Sequence, residues 1–350
     1  METGGKDEPT IEDVQRIVEK DGAKGWNMAK EVLLKQETDN PQLKQALNYL
    51  TLIPDYYRPA IVSYCCEAVG GEPETTIPTA ASLILLAKAI GIHDDIIDNV
   101  RRRKRHITAF GKFGKEIALI LSDILIFKGF TLLRKNLEIG VSPETLNKIL
   151  ETVDQVWFEQ SESEILEHQF RAKMDILPEE CLTKIRKRAA EFEAITRIGA
   201  ILGRAAERDI ESLATYGRCL GTAAILRDEI IDMLDLEVLK HRIKRESLPL
   251  PLIYALSNVD VKSNLILLIS QKKIRKSDLI EVAKIVDSFD GMRYVAKIID
   301  RMVDDANASI KRYKKPKLSL LIKSLRIHPH DWKVVLEAMS TTNTYFGQEY

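Results

Sequence analysis

Acids recur at one spacing in two places, Asp94-Asp95-Ile96-Ile97-Asp98 and Asp228-Glu229-Ile230-Ile231-Asp232. On a helix, residues i and i+4 stand one above the other, and like charges so placed repel. A divalent cation turns that repulsion into ligation. Mg²⁺ suits the role, because it takes hard oxygen ligands from few carboxylates while also holding substrate phosphates. The metal-ligating candidates are therefore Asp94, Asp95, Asp98, Asp228, Glu229 and Asp232, and the repeated spacing predicts two helices facing each other across a cavity. A basic run, Arg101-Arg102-Arg103-Lys104-Arg105-His106, follows the first cluster. Guanidinium groups pair bidentately with phosphate oxygens, so this run can neutralise a diphosphate. Taken alone it would be a solvated loop or a nucleic-acid patch. The aspartates beside it and the lack of interleaved aromatics point away from nucleic acid.

The elements that must carry these residues read as helices. Asp123–Asn136, Glu179–Gly203, Ile210–Asp232 and Tyr294–Tyr313 repeat apolar residues every three or four positions. No alternating strand, Asn-Gly turn or glycine-rich phosphate loop stands out, so the expected class is all-α. The most apolar helix is predicted from about Thr79 to Asp98; between Ala80 and Ile92 only Ser82 and Lys88 are polar. It should be a central element. The face that bears Asp94 and Asp98 also bears Gly91, Ile90, Ala87, Leu86 and Leu83, an apolar wall below polar ligands. Such a face suits a ligand with a phosphate head and a hydrocarbon tail. Gly70-Gly71 reads as a helix end, and Ser142-Pro143-Glu144 as a cap and first turn.

Bulk properties agree with one globular protein. The chain has 350 residues, with 52 basic and 52 acidic side chains, so no global attraction to nucleic acid or anionic membrane is implied. An apolar fraction of 45% supports a substantial core. Cys65, Cys66, Cys181 and Cys219 lack metal-ligand spacing and read as buried thiols of a reducing compartment. METGGKDEPT has no apolar run of a signal peptide, and no uninterrupted apolar stretch reaches bilayer-spanning length. A cytoplasmic setting is expected. The expected organisation is a disordered 1–10, a helical domain over 11–316 and an extension over 317–350 packed on it. The basic stretch Lys311–Lys317 reads first as a solvated helix end, and second as a peripheral contact with anionic lipid.

From Arg58 to Leu256 the chain resembles the trans-isoprenyl diphosphate synthases, a family that includes farnesyl, geranylgeranyl and longer polyprenyl synthases. The resemblance is carried by Arg58-Pro59, His93–Asp98, Arg103-Lys104, Thr108, Phe113-Gly114 and Leu121-Ser122-Asp123. Further along it is carried by Lys187-Arg188-Ala189, Tyr216-Gly217-Arg218, Leu220-Gly221 to Asp232, Leu248–Pro251 and Ala255-Leu256. It implies a single-domain helical bundle around a central apolar cavity, usually a homodimer, with three Mg²⁺ ions. The implied catalytic residues are Asp94, Asp95, Asp98, Lys187, Asp228 and Asp232. Arg58, Arg103, Lys104 and Lys187 would bind substrate, with Ala87, Ala89, Ile90 and Ile225 lining its path. The implied reaction ionises an allylic isoprenyl diphosphate, and the cation is caught by isopentenyl diphosphate. No histidine base is required, and His93 reads as a structural partner.

The chain departs from the family pattern in one direction. Asp55 stands where the family has a lysine for isopentenyl diphosphate, and Ala87 where it has a histidine. Lys104 replaces an arginine, Arg105 a glycine, and Ala224-Ile225 a Phe-Gln pair; Lys240 and Lys244 are candidates for the lysine after the second cluster. Groups that ionise the allylic substrate are mostly kept, and groups that seat a second diphosphate are partly lost. A lost cation costs about 1.5–3 kcal/mol per charge-assisted bond. Chain elongation with isopentenyl diphosphate, prenyl transfer to an aromatic or lipid acceptor, and cyclisation of one substrate are the alternatives; the retained acids, costly to keep clustered without metal, argue against a non-catalytic partner role. In the family, bulky aromatics four and five residues before the first aspartate close the tail pocket early; with Ile90 and Ala89 there, and Ala87 and Gly91 also small, the resemblance implies a geranylgeranyl-length or longer chain, with Ala89→Phe shortening it.

Overall fold

A computed structural model of the protein describes residues 11–103 and 106–341. Its regular structure is almost wholly α-helical. In chain order the helices are α1 (Ile11–Leu34), α2 (Pro41–Leu50), α3 (Tyr57–Ala68), α4 (Ile77–Ile97), α5 (Ala109–Phe113) and α6 (Lys115–Leu133). Then come α7 (Lys135–Glu138), α8 (Pro143–Phe170), α9 (Pro178–Arg188), α10 (Ala190–Leu202), α11 (Glu207–Leu234) and α12 (Leu236–Arg245). The last are α13 (Leu250–Leu256), α14 (Val259–Ile269), α15 (Lys276–Ser288), α16 (Gly291–Ile310), α17 (Pro316–Lys323) and α18 (Pro329–Thr341). Two residues pair with two in an antiparallel hairpin inside the basic run, β1 (Arg102–Arg103) with β2 (His106–Ile107). That hairpin is a departure from the strand-free expectation, and so is the break of Glu179–Gly203 at Ala189, the C-cap of α9.

The chain divides into two compact units. One is drawn from Met1–Gln155, Glu193–Ala214 and Ile310–Ser324, the other from Val156–Phe192, Thr215–Ser309 and Leu325–Tyr350. Each unit is assembled from separated stretches, so no shift of composition along the chain marks a boundary between them.

In the first unit α4 packs along α6, and α1 packs on α3 and α4. The approach of α4 to α6 is close because Gly129 has no side chain: a Cβ there would meet Leu86 Cδ2 at 2.7 Å. Ser82 donates to the Gly129 carbonyl at 2.7 Å, and Ser122 on α6 donates to the Ala89 carbonyl at 3.1 Å. Around this seam Trp26, Leu33, Ile84, Leu85, Leu121 and Leu125 form a buried core. The segment Pro73–Ile97 has the length and composition to cross a membrane, although no uninterrupted apolar run within it reaches that length. With 67% of its most apolar window buried inside the protein, it holds the position of a core helix.

In the second unit α13 lies on α9, α14 and α15, and α15 also meets α12 and α18. Asp235 ends one helix and starts the next. Its carboxylate accepts from the amides of Glu237 and Val238, at 3.1 and 3.2 Å, and caps α12 directly after α11. That reversal brings Arg242 on α12 back to the end of α11. At the start of α8, Ser142 accepts from the Thr145 amide at 3.1 Å, as its Ser-Pro-Glu sequence predicts.

Candidate active site

The first acid cluster ends α4. Asp94 and Asp95 are buried, and Asp98 is half-buried at the C-cap position. Asp95 Oδ1 accepts from Arg103 Nε at 2.7 Å, so the β1 strand delivers the first arginine of the basic pair onto the cluster. Burial pushes the Asp95 carboxyl up, and the Arg103 charge and hydrogen bond oppose it. His93 shares a 2.9 Å hydrogen bond with Ser122, the structural partnership expected of it. The hairpin is braced by Tyr49, which donates to the Ile107 carbonyl at 2.6 Å, and by Arg101 over the Phe110 ring. Lys104 lies outside the described residues.

Below the aspartates the α4 face is open. A Cβ built on Gly91 would meet nothing within 4 Å. Ala87 and Ile90 are partly exposed, while Leu83 and Leu86 are buried. Ala89 requires a correction. It is 0% exposed, within the core between α4 and α6, so it lines no open path for a substrate. Five residues before Asp94 it points about 140° away from that aspartate, whereas Ala87 and Ile90 share its side.

Arg58 and Asp55 form an ion pair at 2.6 Å, and the Arg58 amide donates to the other Asp55 oxygen at 3.3 Å. Lys88 on α4 donates to the Ile53 carbonyl at 2.9 Å and sits over the Trp26 ring. Burial pulls the Lys88 ammonium down to about 8, against the attraction of Asp55. The loop before α3 thus holds a carboxylate paired with Arg58 and attracting Lys88.

The second cluster lies on α11. Asp228 is exposed, Asp232 half-buried and Glu229 only 5% exposed. Arg242 reaches both of the latter, with Nη1 on Asp232 Oδ2 at 2.5 Å and Nη2 on Glu229 Oε1 at 3.0 Å. The second oxygen of Glu229 accepts from the Leu250 amide at 2.6 Å. Both oxygens of Glu229, one of the expected metal ligands, thus accept hydrogen bonds inside the protein. Burial pushes the Asp232 carboxyl up to about 6; Arg242 opposes this and Glu229 adds to it.

A second ionic group adjoins. Lys184 on α9 donates to Glu167 at 2.5 Å and to Ser247 at 2.7 Å, and the Ser247 amide donates to Glu167 at 2.5 Å. Burial works to raise the Glu167 carboxyl, but Lys184 and Arg242 outweigh it and hold it at about 2. One turn on from Lys184, Lys187 is paired with Glu162. Arg218 is held by Glu159, at 2.7 and 3.0 Å, and by the Arg186 carbonyl. Ile225 is half-buried on α11.

Among the described residues no three His, Cys, Asp or Glu side chains converge to hold a metal by themselves. A cation here would take one or two carboxylates and complete its shell from phosphate and water, which is the habit of Mg²⁺. The candidate donors Asp94, Asp98, Asp228 and Asp232 are all carboxylates, hard oxygen ligands on the ends of two helices. The residues fit the ion.

A polyprenyl synthetase family model matches residues 40–286. The chain belongs to the polyprenyl synthetase family. Similar proteins include the short chain isoprenyl diphosphate synthase of Methanothermobacter thermautotrophicus, 30% identical over 178 residues, 51% of this chain and 54% of that one. The geranylgeranyl diphosphate synthase of Sulfolobus acidocaldarius is 30% identical over 197 residues, 56% and 59% of the two chains. The chain spans about half the length of the curated relatives it matches. In structure it is similar to the geranylgeranyl pyrophosphate synthetase of Pyrococcus horikoshii, with TM-score 0.81 and 24% identity over 91% of this chain and 99% of that one. That likeness shows the all-helical fold.

Within this polyprenyl synthetase chain, sequence reasoning missed Arg242, Asp235 and the Lys184–Glu167–Ser247 group. Of the two lysines expected after the second cluster, Lys240 is exposed, and Lys244 donates to the Gln271 carbonyl at 2.6 Å. The signal for Arg242 was its position: seven residues into a helix started by Asp235, it falls on the turn that faces back.

Proposed function

We propose that the protein is a Mg²⁺-dependent trans-prenyltransferase that ionises an allylic isoprenyl diphosphate and joins it to isopentenyl diphosphate. The product would be a polyprenyl diphosphate of geranylgeranyl length or longer. The observation that carries this reading is the layout of α4, where Asp94 and Asp98 close a helix whose Gly91, Ala87 and Ile90 side is open and apolar. Family membership and the names of the relatives point the same way.

In this reading Asp94 and Asp98 would hold Mg²⁺ in the first unit, and Asp228 and Asp232 would hold it in the second. When bound, it supplies positive charge to the departing diphosphate. Asp95 orients Arg103, whose guanidinium adds to that charge. Lys187 does the same once it exchanges Glu162 for phosphate. The Ala87–Ile90 face keeps water from the allylic cation. Incubation with a labelled allylic diphosphate, isopentenyl diphosphate and Mg²⁺ tests the reading: a ladder of longer diphosphates is expected. No elongated product would overturn it.

A second reading has its own observation. Arg58, the cation expected to seat the second diphosphate, is paired with Asp55. Transfer to an acceptor without a diphosphate would then be the reaction, and in the same assay it gives slow allylic hydrolysis without a ladder. A homodimer is part of the proposal, supported by exposed Ile120, Phe127 and Phe130 on α6. So is a cytoplasmic setting, supported by the free thiols of Cys65, Cys66, Cys181 and Cys219.

A further inference from the structure

One cation ties the end of α11, the length of α12 and the start of α13 together. Arg242 is 7% exposed, and its three guanidinium nitrogens are all used: Nη1 on Asp232, Nη2 on Glu229, and Nε on the Ser247 carbonyl at 3.1 Å and Glu246 at 3.2 Å. Glu229 passes the connection on to the Leu250 amide, the first residue of α13. A planar fork with fixed donors can hold two carboxylates of one helix at once; a lysine ammonium is a single point charge and cannot. Asp228 precedes Glu229 by one residue, about 100° round the helix, and lies at the surface.

We propose that Arg242 is the positioning residue of the second acid cluster: it draws Glu229 and one oxygen of Asp232 into the interior as structural anions, so that Asp228 carries the cluster's main share of the metal. This rests on the reading of the protein as a Mg²⁺-diphosphate enzyme. Three acids at ligand spacing are therefore not three ligands. Glu229 serves the fold, Asp232 is aimed by Arg242, and the twin clusters of the sequence are unequal in use.

The test is calorimetric titration of the full chain with Mg²⁺ at fixed inorganic diphosphate, with thermal melting alongside. Asp228→Asn is expected to weaken Mg²⁺ binding at least about tenfold, and Arg242→Lys by about 10–100-fold, the usual loss for a group that orients a ligand. Glu229→Gln is expected to shift it less than about threefold while lowering the melting temperature, because its tie to Leu250 serves the fold. Should Glu229→Gln weaken Mg²⁺ as much as Asp228→Asn, or Arg242→Lys bind as the unmodified protein does, the assignment is overturned. If Arg242→Lys does not fold, the contrast of Asp228→Asn with Glu229→Gln decides alone. An unmodified protein that takes up no Mg²⁺ with diphosphate overturns the functional reading as well, whereas a reversed variant pattern overturns only the role of Arg242.

Discussion

Neighbouring residues on one helix have opposite duties here, and the difference is a matter of angle. Ala87 and Ile90 share the side of α4 that carries Asp94, and Ala89 points into the seam with α6. Under the proposed function, Ala87→Phe should shorten the product, read by chromatography of the dephosphorylated alcohols. Ala89→Phe should instead overpack the core and lower stability by about 1–3 kcal/mol in chemical denaturation. Lys184 gives a second case. Its side chain is 4% exposed and its carboxylate partner Glu167 is 6% exposed. Removing one partner of a buried pair leaves an uncompensated charge, so Lys184→Met is expected to cost about 3–5 kcal/mol. Lys184→Met with Glu167→Met should recover most of that loss in the same denaturation experiment.

At the scale of elements, the site depends on how helices begin and end. Asp235 stops α11 and caps α12, and this reversal is what returns Arg242 to Glu229 and Asp232. Asp235→Ala should cost about 0.5–2 kcal/mol in thermal unfolding, the usual range for a lost N-cap. The joint of α8, α9 and the segment before α13 also predicts a pH dependence. In the fold Glu167 is held at about 2, below its ordinary 4.5. A lowered carboxyl contributes its full stability above the unfolded value, and that contribution is lost as pH falls from about 4.5 to about 2. Acid unfolding followed by circular dichroism should therefore steepen across that window, and Glu167→Gln should flatten it.

Across the whole molecule, two compact units are each built from separated stretches of chain, with one acid cluster in each. In the first unit, α6 packs its Gly129 side against α4 and leaves Ile120, Phe127 and Phe130 exposed. If the proposed homodimer uses that face, Phe127→Glu should yield a monomer in sedimentation velocity, with melting temperature little changed because Phe127 is 69% exposed. An unchanged sedimentation coefficient would place the dimer contact elsewhere.

Local chemistry was legible in the residues themselves. Apolar periodicity announced the helices, the acid spacing announced both clusters, and Ser142 and the polar–apolar grading of α4 announced where helices start and what they bury. All of these act within a few residues, where helix geometry alone decides who stands beside whom. Partnership across the chain was not legible. That Arg242 takes Glu229, that Asp55 takes Arg58, that Glu162 takes Lys187 and that Ala89 turns inward depend on which helices pack and at what angle. Sequence determined which charges are present, and only the tertiary structure decided which of them neutralise one another, because a buried charge takes the partner that folding brings within reach.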